Sequence, residues 1–506
     1  MRTQGLLVRK SLADIRSDSE HHQLKRTLGP VQLVLLGIGC IVGAGIYVMT
    51  GSAAANYAGP AVILSFLIAG LACAFTGLCY AELASTLPVS GSSYTYTYAA
   101  LGEVFAWSLG WLLMLEYGLA GSALAAGLSG YLSSFLGDFG VHIPAMLRTS
   151  FIQSTTTETG VRFTTGGGVN LVAAASLGLV TLVLIRGITQ SAAVNGVMVI
   201  VKIAVLLIFV AVGVFHIEPA NWTPFVPESQ GGFAYGPLGV LRAASVLFFA
   251  YLGFETVSTA ALEARNPQRD MPIGILGALA ICTLLYIAVA LVLTGIVPYR
   301  ALGVPDPIAI AVDRMGLPAF ALVVKLGAVL GLTSVLLVNT YGHSRICFAM
   351  SRDGLLPRLF SSVHAEWQTP HHGTMFVAAV AAVASAFLPI AILGDLVSLG
   401  TACAFSIVAI SVMWLRTSQP DLERPFRVPL GGVWIRGVWI GVVPVLALVL
   451  CLSMVGPVLV DIVLKAIDGD SIPATILGIY LVVGVLLYRG YGWRNSRLGH
   501  ASVVAA

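Results

Sequence analysis

Apolar residues run along this chain in long unbroken blocks separated by short polar segments. The blocks occupy about 31–55, 59–87, 104–136, 170–186, 190–214, 238–262, 272–297, 319–349, 374–392, 395–415, 439–456 and 472–488. Most exceed the roughly 20 residues that a helix needs to cross a bilayer, and the longer ones fit by tilting. Membrane-spanning strands would instead alternate apolar and polar residues in units of about ten, and these blocks do not alternate. The pattern predicts an all-α polytopic membrane protein with twelve transmembrane helices.

Composition agrees. Of 506 residues, 57% are hydrophobic and 10% charged, whereas soluble chains carry about 25% charged residues. Lipid is part of the solvent, which excludes a cytosolic enzyme and a secreted domain. The formal charge of +4 is small and scattered, so nucleic acid is not a partner. The seven cysteines lie in apolar stretches without a CxxC or Cys/His spacing, and read as small buried thiols rather than ligands or disulfides. No GxxxxGK[ST] motif occurs, so transport driven by ATP within this chain is not expected.

Lysine and arginine set the orientation. With the N-terminus inside, 19 of the 27 fall in inner segments and five in outer ones (Arg148, Arg162, Arg300, Arg314 and Lys465). Lys202, Arg242 and Lys325 lie within or at the edges of spans. The asymmetry places both termini in the cytoplasm, in a cytoplasmic (inner) membrane. The first 30 residues hold six Lys/Arg and read as a cytoplasmic segment, not a signal peptide. Segment 137–169, rich in Ser, Thr and Gly, reads as a solvated outer loop. Glu82, Arg242 and Lys325 read as interfacial side chains, and Asp395 as a helix cap.

Two spans carry signs of interruption. The first contains GIGCIVGAGIY at 37–47, with Gly37, Gly39, Gly43 and Gly45 near its centre. Each glycine lowers helix stability by roughly 1 kcal/mol relative to Ala, which invites unwinding; close helix packing through small residues is the alternative. The sixth contains FFAYLGFE at 248–255. If spans 1–5 and 6–10 are repeats, five being odd inverts the second, and broken helices at matching places point to a substrate site near the midplane. Freed N–H groups at Gly43, Ala44 and Gly45 would face a carboxylate. Freed carbonyls near Phe249 and Ala250 would accept from an ammonium. An α-amino acid suits both ends.

Charges inside spans add chemistry. Lys202, in GVMVIVKIAVLLIFV, stands halfway along the fifth span, where insertion of a charge costs about 2.5–3.5 kcal/mol. A buried amine gives up its proton more readily than an exposed one, so Lys202 is a candidate proton carrier; snorkelling to an interface is the alternative. Glu116 is central to the third span and could pair with Lys202, a substrate ammonium or a basic substrate side chain. Glu255 reads as a structural or gating group. Thr333 and Ser334, with Asn339 and Thr340 beyond, could bond the lysine or ligate sodium, or bond back to their own helix.

These motifs resemble the amino acid–polyamine–organocation (APC) superfamily, most closely its bacterial cationic amino acid transporter branch. The resemblance rests on GIGCIVGAGIYV (37–48), CYAELASTLPVSGSSYTYTYAALGE (79–103), FFAYLGFETVSTAALEARNPQRDMP (248–272), SRDGLLP (351–357) and RPFRVP (424–429). It implies a five-plus-five inverted repeat of the LeuT-like kind with two further helices, and alternating access around a site between spans 1, 3, 6 and 8. The chain then divides into a cytoplasmic N-terminal segment (1–30), a first repeat (31–216), a second (217–415), two last spans with their preceding cytoplasmic loop (416–488), and a cytoplasmic tail (489–506). The resemblance assigns substrate binding to Ile41, Gly43, Ala44 and Gly45, to Phe249, Ala250 and Leu252 with Phe249 as gate, and to Glu116. It places Lys202 where sodium-coupled relatives hold a cation. Where the branch often has Ser or Thr, this chain has Ala44, so backbone N–H groups must do more. Asn339 and Thr340 leave room for a polar or cationic substrate side chain.

The expectation is a secondary active transporter, not an enzyme, moving cationic or small neutral L-amino acids with protons. Lys202, Glu116, Thr333 and Ser334 would carry the coupling. The proton gradient drives it without a cofactor or metal; its partners are the amino acid, protons and membrane lipid, and the sequence carries no signature for or against a small membrane subunit. An exchanger or a sodium symporter is the rival within the class. A channel would need a continuous polar stripe, and a sensor an added signalling domain.

Overall fold

The computed structural model describes residues 28–87, 93–157, 160–187, 192–261 and 263–497. Residues 1–27 of the expected cytoplasmic segment, 498–506 of the expected tail and 88–92 of the 79–103 motif lie outside these residues. The apolar blocks close into helices because in lipid each backbone N–H and C=O must find its partner within the segment. In chain order these are α1 (Pro30–Ile41), α2 (Val62–Thr86), α3 (Glu103–Gly137), α4 (Leu171–Ile185), α5 (Ala192–Gly213), α6 (Gly236–Leu247), α7 (Pro267–Ile296), α8 (Pro318–Arg352), α9 (His371–Phe387), α10 (Ile390–Ser418), α11 (Val442–Ile467) and α12 (Ile472–Leu487).

Among the described residues, nine helices are long and apolar enough to cross a membrane. α1, α4 and α9 are shorter apolar helices of 12, 15 and 17 residues. The chain is therefore a polytopic, all-α membrane protein. Among the described residues, sheet lies in two antiparallel pairs, β1 (Ile152–Thr157) with β2 (Gly160–Thr165), and β3 (Gly432–Ile435) with β4 (Val438–Gly441). The segment 137–169 is thus more than a plain loop. Its two strands, rich in β-branched Thr, pair antiparallel with Ile152 opposite Thr165.

α3 sits at the centre, flanked by α8 and α10, while α7 packs on α1 and α2. Four charged residues that the sequence places at interfaces or caps are buried and paired. Arg242, on α6, is fully buried and donates to Asp395 of α10 at 2.7 Å and Asp461 of α11 at 2.9 Å. Its guanidinium also lies over the Tyr57 ring, 4.6 Å from the centroid. Asp395 is therefore an ion-pair partner within α10, not a cap. Lys325 is buried against Asp138 and Asp313, at 2.8 and 2.7 Å. Glu82, at the end of α2, accepts from Arg416 Nε at 2.7 Å and from the Val428 N–H at 2.7 Å, which pins the RPFRVP loop to the bundle. A hydropathy profile places a charge along the chain but does not show the opposite charge that another helix brings to it.

Candidate functional site

The first span breaks where the glycines cluster. α1 ends at Ile41, Val42 turns extended (φ −73°, ψ 92°), and helix resumes at Gly45 as a π-turn through Met49. The sixth span breaks likewise. After α6 the chain tightens into a 3-10 turn at Phe248–Tyr251, Leu252 turns extended, and Gly253 takes φ +114°. That left-handed conformation favours glycine.

The two breaks face each other through glycine. A Cβ at Gly45 would collide with the Ala250 backbone, and one at Gly253 would lie 2.7 Å from the Cys40 carbonyl carbon. No side chain fits at either contact, so the backbones cross directly.

Carbonyls freed by the unwinding are taken by two side chains from other helices. Lys202 Nζ, on α5, donates to Gly39 O at 2.5 Å and Val42 O at 3.3 Å. Tyr286, on α7, donates its hydroxyl towards Ile41 O at 2.8 Å and Ala250 O at 3.1 Å, and so touches both breaks. Tyr131 of α3 donates to Tyr47 O at 2.7 Å beyond the first break. The helix restarting at Gly45 leaves its first N–H groups without intrahelical acceptors. Gly43 and Ala44 stand at that end, where an anion is favoured.

Lys202 is buried and meets carbonyl dipoles, with no carboxylate partner among the described residues. Its stem lies along α8, since a Cβ at Gly331 would come within 3.0 Å of Lys202 Cγ. The lysine thus bridges the first and eighth spans and does not snorkel. Gly43 is flanked by Val335 of α8 and Leu124 of α3, 3.0 and 3.5 Å from a Cβ placed there.

Ile41, Ala44, Phe249 and Ala250 are buried around the breaks, and Leu252 is half-buried. Glu116 lies elsewhere on α3, eight residues before Leu124, or about 12 Å along the helix. It is fully buried, and its polar neighbours are the Glu255 carboxylate and the Thr401 hydroxyl. Glu255 accepts from the Gly253 N–H at 2.8 Å and the Tyr117 hydroxyl at 3.2 Å, and so ties the second break to α3.

On α8, Asn339 donates to Tyr117 O at 2.7 Å, opposite Gly121. Thr333 and Thr340 donate to Val329 O and Leu336 O of their own helix. Ser334 is buried one position on. The structure brings Lys202 to the first break, Gly45 to Ala250, and Asn339 to α3. The Thr333 hydroxyl turns back on its helix.

Tyr286 was not foreseen, because one tyrosine within an apolar run has no distinctive sequence signal. His343, buried on α8 against Gly118 with Nε2 unpartnered, likewise carried none. Among the described residues no cluster of His, Cys, Asp and Glu could hold a metal ion.

A family model described as "Amino acid permease" matches residues 28–485. A methylthioribose transporter of Bacillus subtilis (strain 168) is 42% identical over 495 residues, covering 98% of this chain and 99% of the relative. The branched-chain amino acid permease BcaP of the same organism is 40% identical, covering 97% and 98%. The vacuolar cationic amino acid transporter 4 of Arabidopsis thaliana is 39% identical over 82% of this chain and 68% of its own length.

Proposed function

The chain belongs to the amino acid permease family of the APC superfamily, and from that premise we propose that it is a proton-coupled symporter of L-amino acids. The twelve apolar stretches form a five-plus-five inverted repeat with two further helices, both termini are cytoplasmic, and the site alternates between the two sides. The observation that carries the reading is the Lys202 amine bridging Gly39 O and Val42 O at the first break. In its protonated form it holds three N–H donors against freed carbonyls, and on losing the proton it keeps two. The break is then held differently in the two states, and a proton shifts a conformational equilibrium only through such a difference.

The substrate carboxylate meets the N–H groups at Gly43, Ala44 and Gly45. The α-ammonium meets carbonyls near Phe249 and Ala250, and Phe249 closes over the ligand. Asn339, Thr340 and Glu116 make the α3–α8 side polar enough for a cationic or small neutral side chain. The first relative's name favours a second reading, a neutral thio-sugar such as methylthioribose, over nearly the whole chain length.

Uptake into proteoliposomes under an imposed pH gradient tests both. Radiolabelled arginine, alanine, leucine and methylthioribose are supplied one at a time, with and without a protonophore. Protonophore-sensitive accumulation of an amino acid supports the proposal. Accumulation of methylthioribose alone supports the second reading. Uptake that needs sodium, or only an internal counter-substrate, overturns proton symport.

A further inference from the structure

We propose that a cavity at the end of α8, between the turn that follows it and the chain's C-terminal segment, binds a phosphate-bearing anion. The cavity holds about 450 Å³, within the usual range for small-ligand sites. Its lining is polar, with Arg358, Ser361, Ser362, Tyr491, Asn495 and Arg497 among its walls.

The walls are built rather than incidental. Gly354 takes φ +85°, and a Cβ there would collide with the Asn495 carbonyl oxygen, so only glycine lets the C-terminal segment dock. Arg497 N–H donates to Asp353 O at 3.2 Å, and Ser496 is hydrogen-bonded to Glu103. On the opposite wall, the Ser351 hydroxyl donates to Pro357 O at 2.8 Å and is hydrogen-bonded to Ser361 Oγ at 2.9 Å. These contacts bring Arg358 and Arg497, far apart in sequence, to one cavity.

Among the described residues, no carboxylate lines it. Neither arginine has an ion-pair partner among the described residues, and the Asp353 carboxylate already accepts from the Tyr94 hydroxyl at 2.9 Å. Two guanidinium groups with a phenol and an amide N–H recognise a tetrahedral oxyanion, because planar N–H forks match pairs of phosphate oxygens. The C-terminal end of α8 opposes an anion with about half a negative charge, and two full positive charges outweigh it. The same SRDGLLP motif that the sequence singles out supplies the glycine and the turn.

A phosphate group reaches this place from two sources. One is the headgroup of an anionic lipid, since basic pockets at the cytoplasmic ends of spanning helices suit such headgroups and Trp493 stands exposed beside the cavity. The other is free phosphate or a soluble phosphorylated compound.

The test uses delipidated full-length protein in neutral detergent, with thermal unfolding as the readout. It is titrated with inorganic phosphate against chloride at matched ionic strength, and with short-chain phosphatidylglycerol against short-chain phosphatidylcholine. Saturable stabilisation by phosphatidylglycerol alone assigns a lipid headgroup, and by inorganic phosphate a soluble ligand. Either effect weakens at least tenfold in apparent affinity in R358Q/R497Q, while basal uptake of that variant in neutral-lipid vesicles stays unchanged. Absence of a shift with both anions, an equal shift with the controls, or an equal shift in the variant overturns the proposal. The wild-type titrations decide even if the variant does not fold.

Discussion

The Lys202 ammonium lies 2.5 Å from the carbonyl oxygen of Gly39, in the last turn of α1 before the chain unwinds. A side chain from the fifth span therefore completes the backbone of the first. Replacing Lys202 by alanine should leave substrate binding within a few-fold of wild type and abolish accumulation driven by a pH gradient. Equilibrium binding and gradient-driven uptake, measured on the same reconstituted protein, check the two halves separately.

Tyr286→Phe removes the one O–H that Ile41 O and Ala250 O share. Loss of that donor costs about 1–3 kcal/mol. The variant should unfold at lower temperature in detergent and bind substrate more weakly, because both breaks lose their common tether. Unchanged affinity would show that the hydroxyl does not hold the site together.

Gly45→Ala and Gly253→Ala should each insert normally yet lose uptake, because the added methyl meets the Ala250 backbone or the Cys40 carbonyl. Overpacking of this kind costs about 1–3 kcal/mol or more, and at Gly253 the positive φ adds strain. Gly456→Ala is the control, since a methyl there meets nothing within 4 Å. Surface expression and uptake distinguish the three variants.

Glu116→Gln should weaken binding of cationic substrates while sparing neutral ones, if Glu116 holds a basic side chain. Competition by arginine and by alanine against one labelled substrate checks the split. Equal affinities for both in variant and wild type would remove Glu116 from the site.

Arg242→Gln should destabilise the protein by about 3–5 kcal/mol, since it leaves Asp395 buried without its partner. Arg242→Met combined with Asp395→Leu should recover part of that loss, because Asp461 still pairs with Lys465 at 2.9 Å. Thermal unfolding of the single and double variants gives the comparison.

The helices were legible because continuous apolar runs have few alternatives in lipid. The first break was legible too, since four glycines between 37 and 45 weaken a helix wherever they fall. Lys202 stood out as a lone cation in an apolar run, but its partners did not: the sequence offered Glu116, Thr333 and Ser334, and the packing supplies the carbonyls of Gly39 and Val42. What the sequence hid was pairing across distance. Arg242 and Asp395 each looked peripheral, and only the packing of α6 against α10 brings them to 2.7 Å. Tyr286 was hidden for the opposite reason, as its residue type is ordinary and its meaning comes wholly from the two carbonyls it reaches. The offset of Glu116 from Gly43 was equally hidden, because the register of α3 against the broken span is a tertiary property.

Lys202 has carbonyl dipoles around it and no counter-ion among the described residues. A proton held there is an uncompensated charge within the low-dielectric layer, so an inside-negative membrane voltage acts on it directly. One elementary charge crossing 100 mV gains about 2.3 kcal/mol. A zwitterion entering with one proton would then accumulate roughly fifty-fold from voltage alone, even between compartments at the same pH.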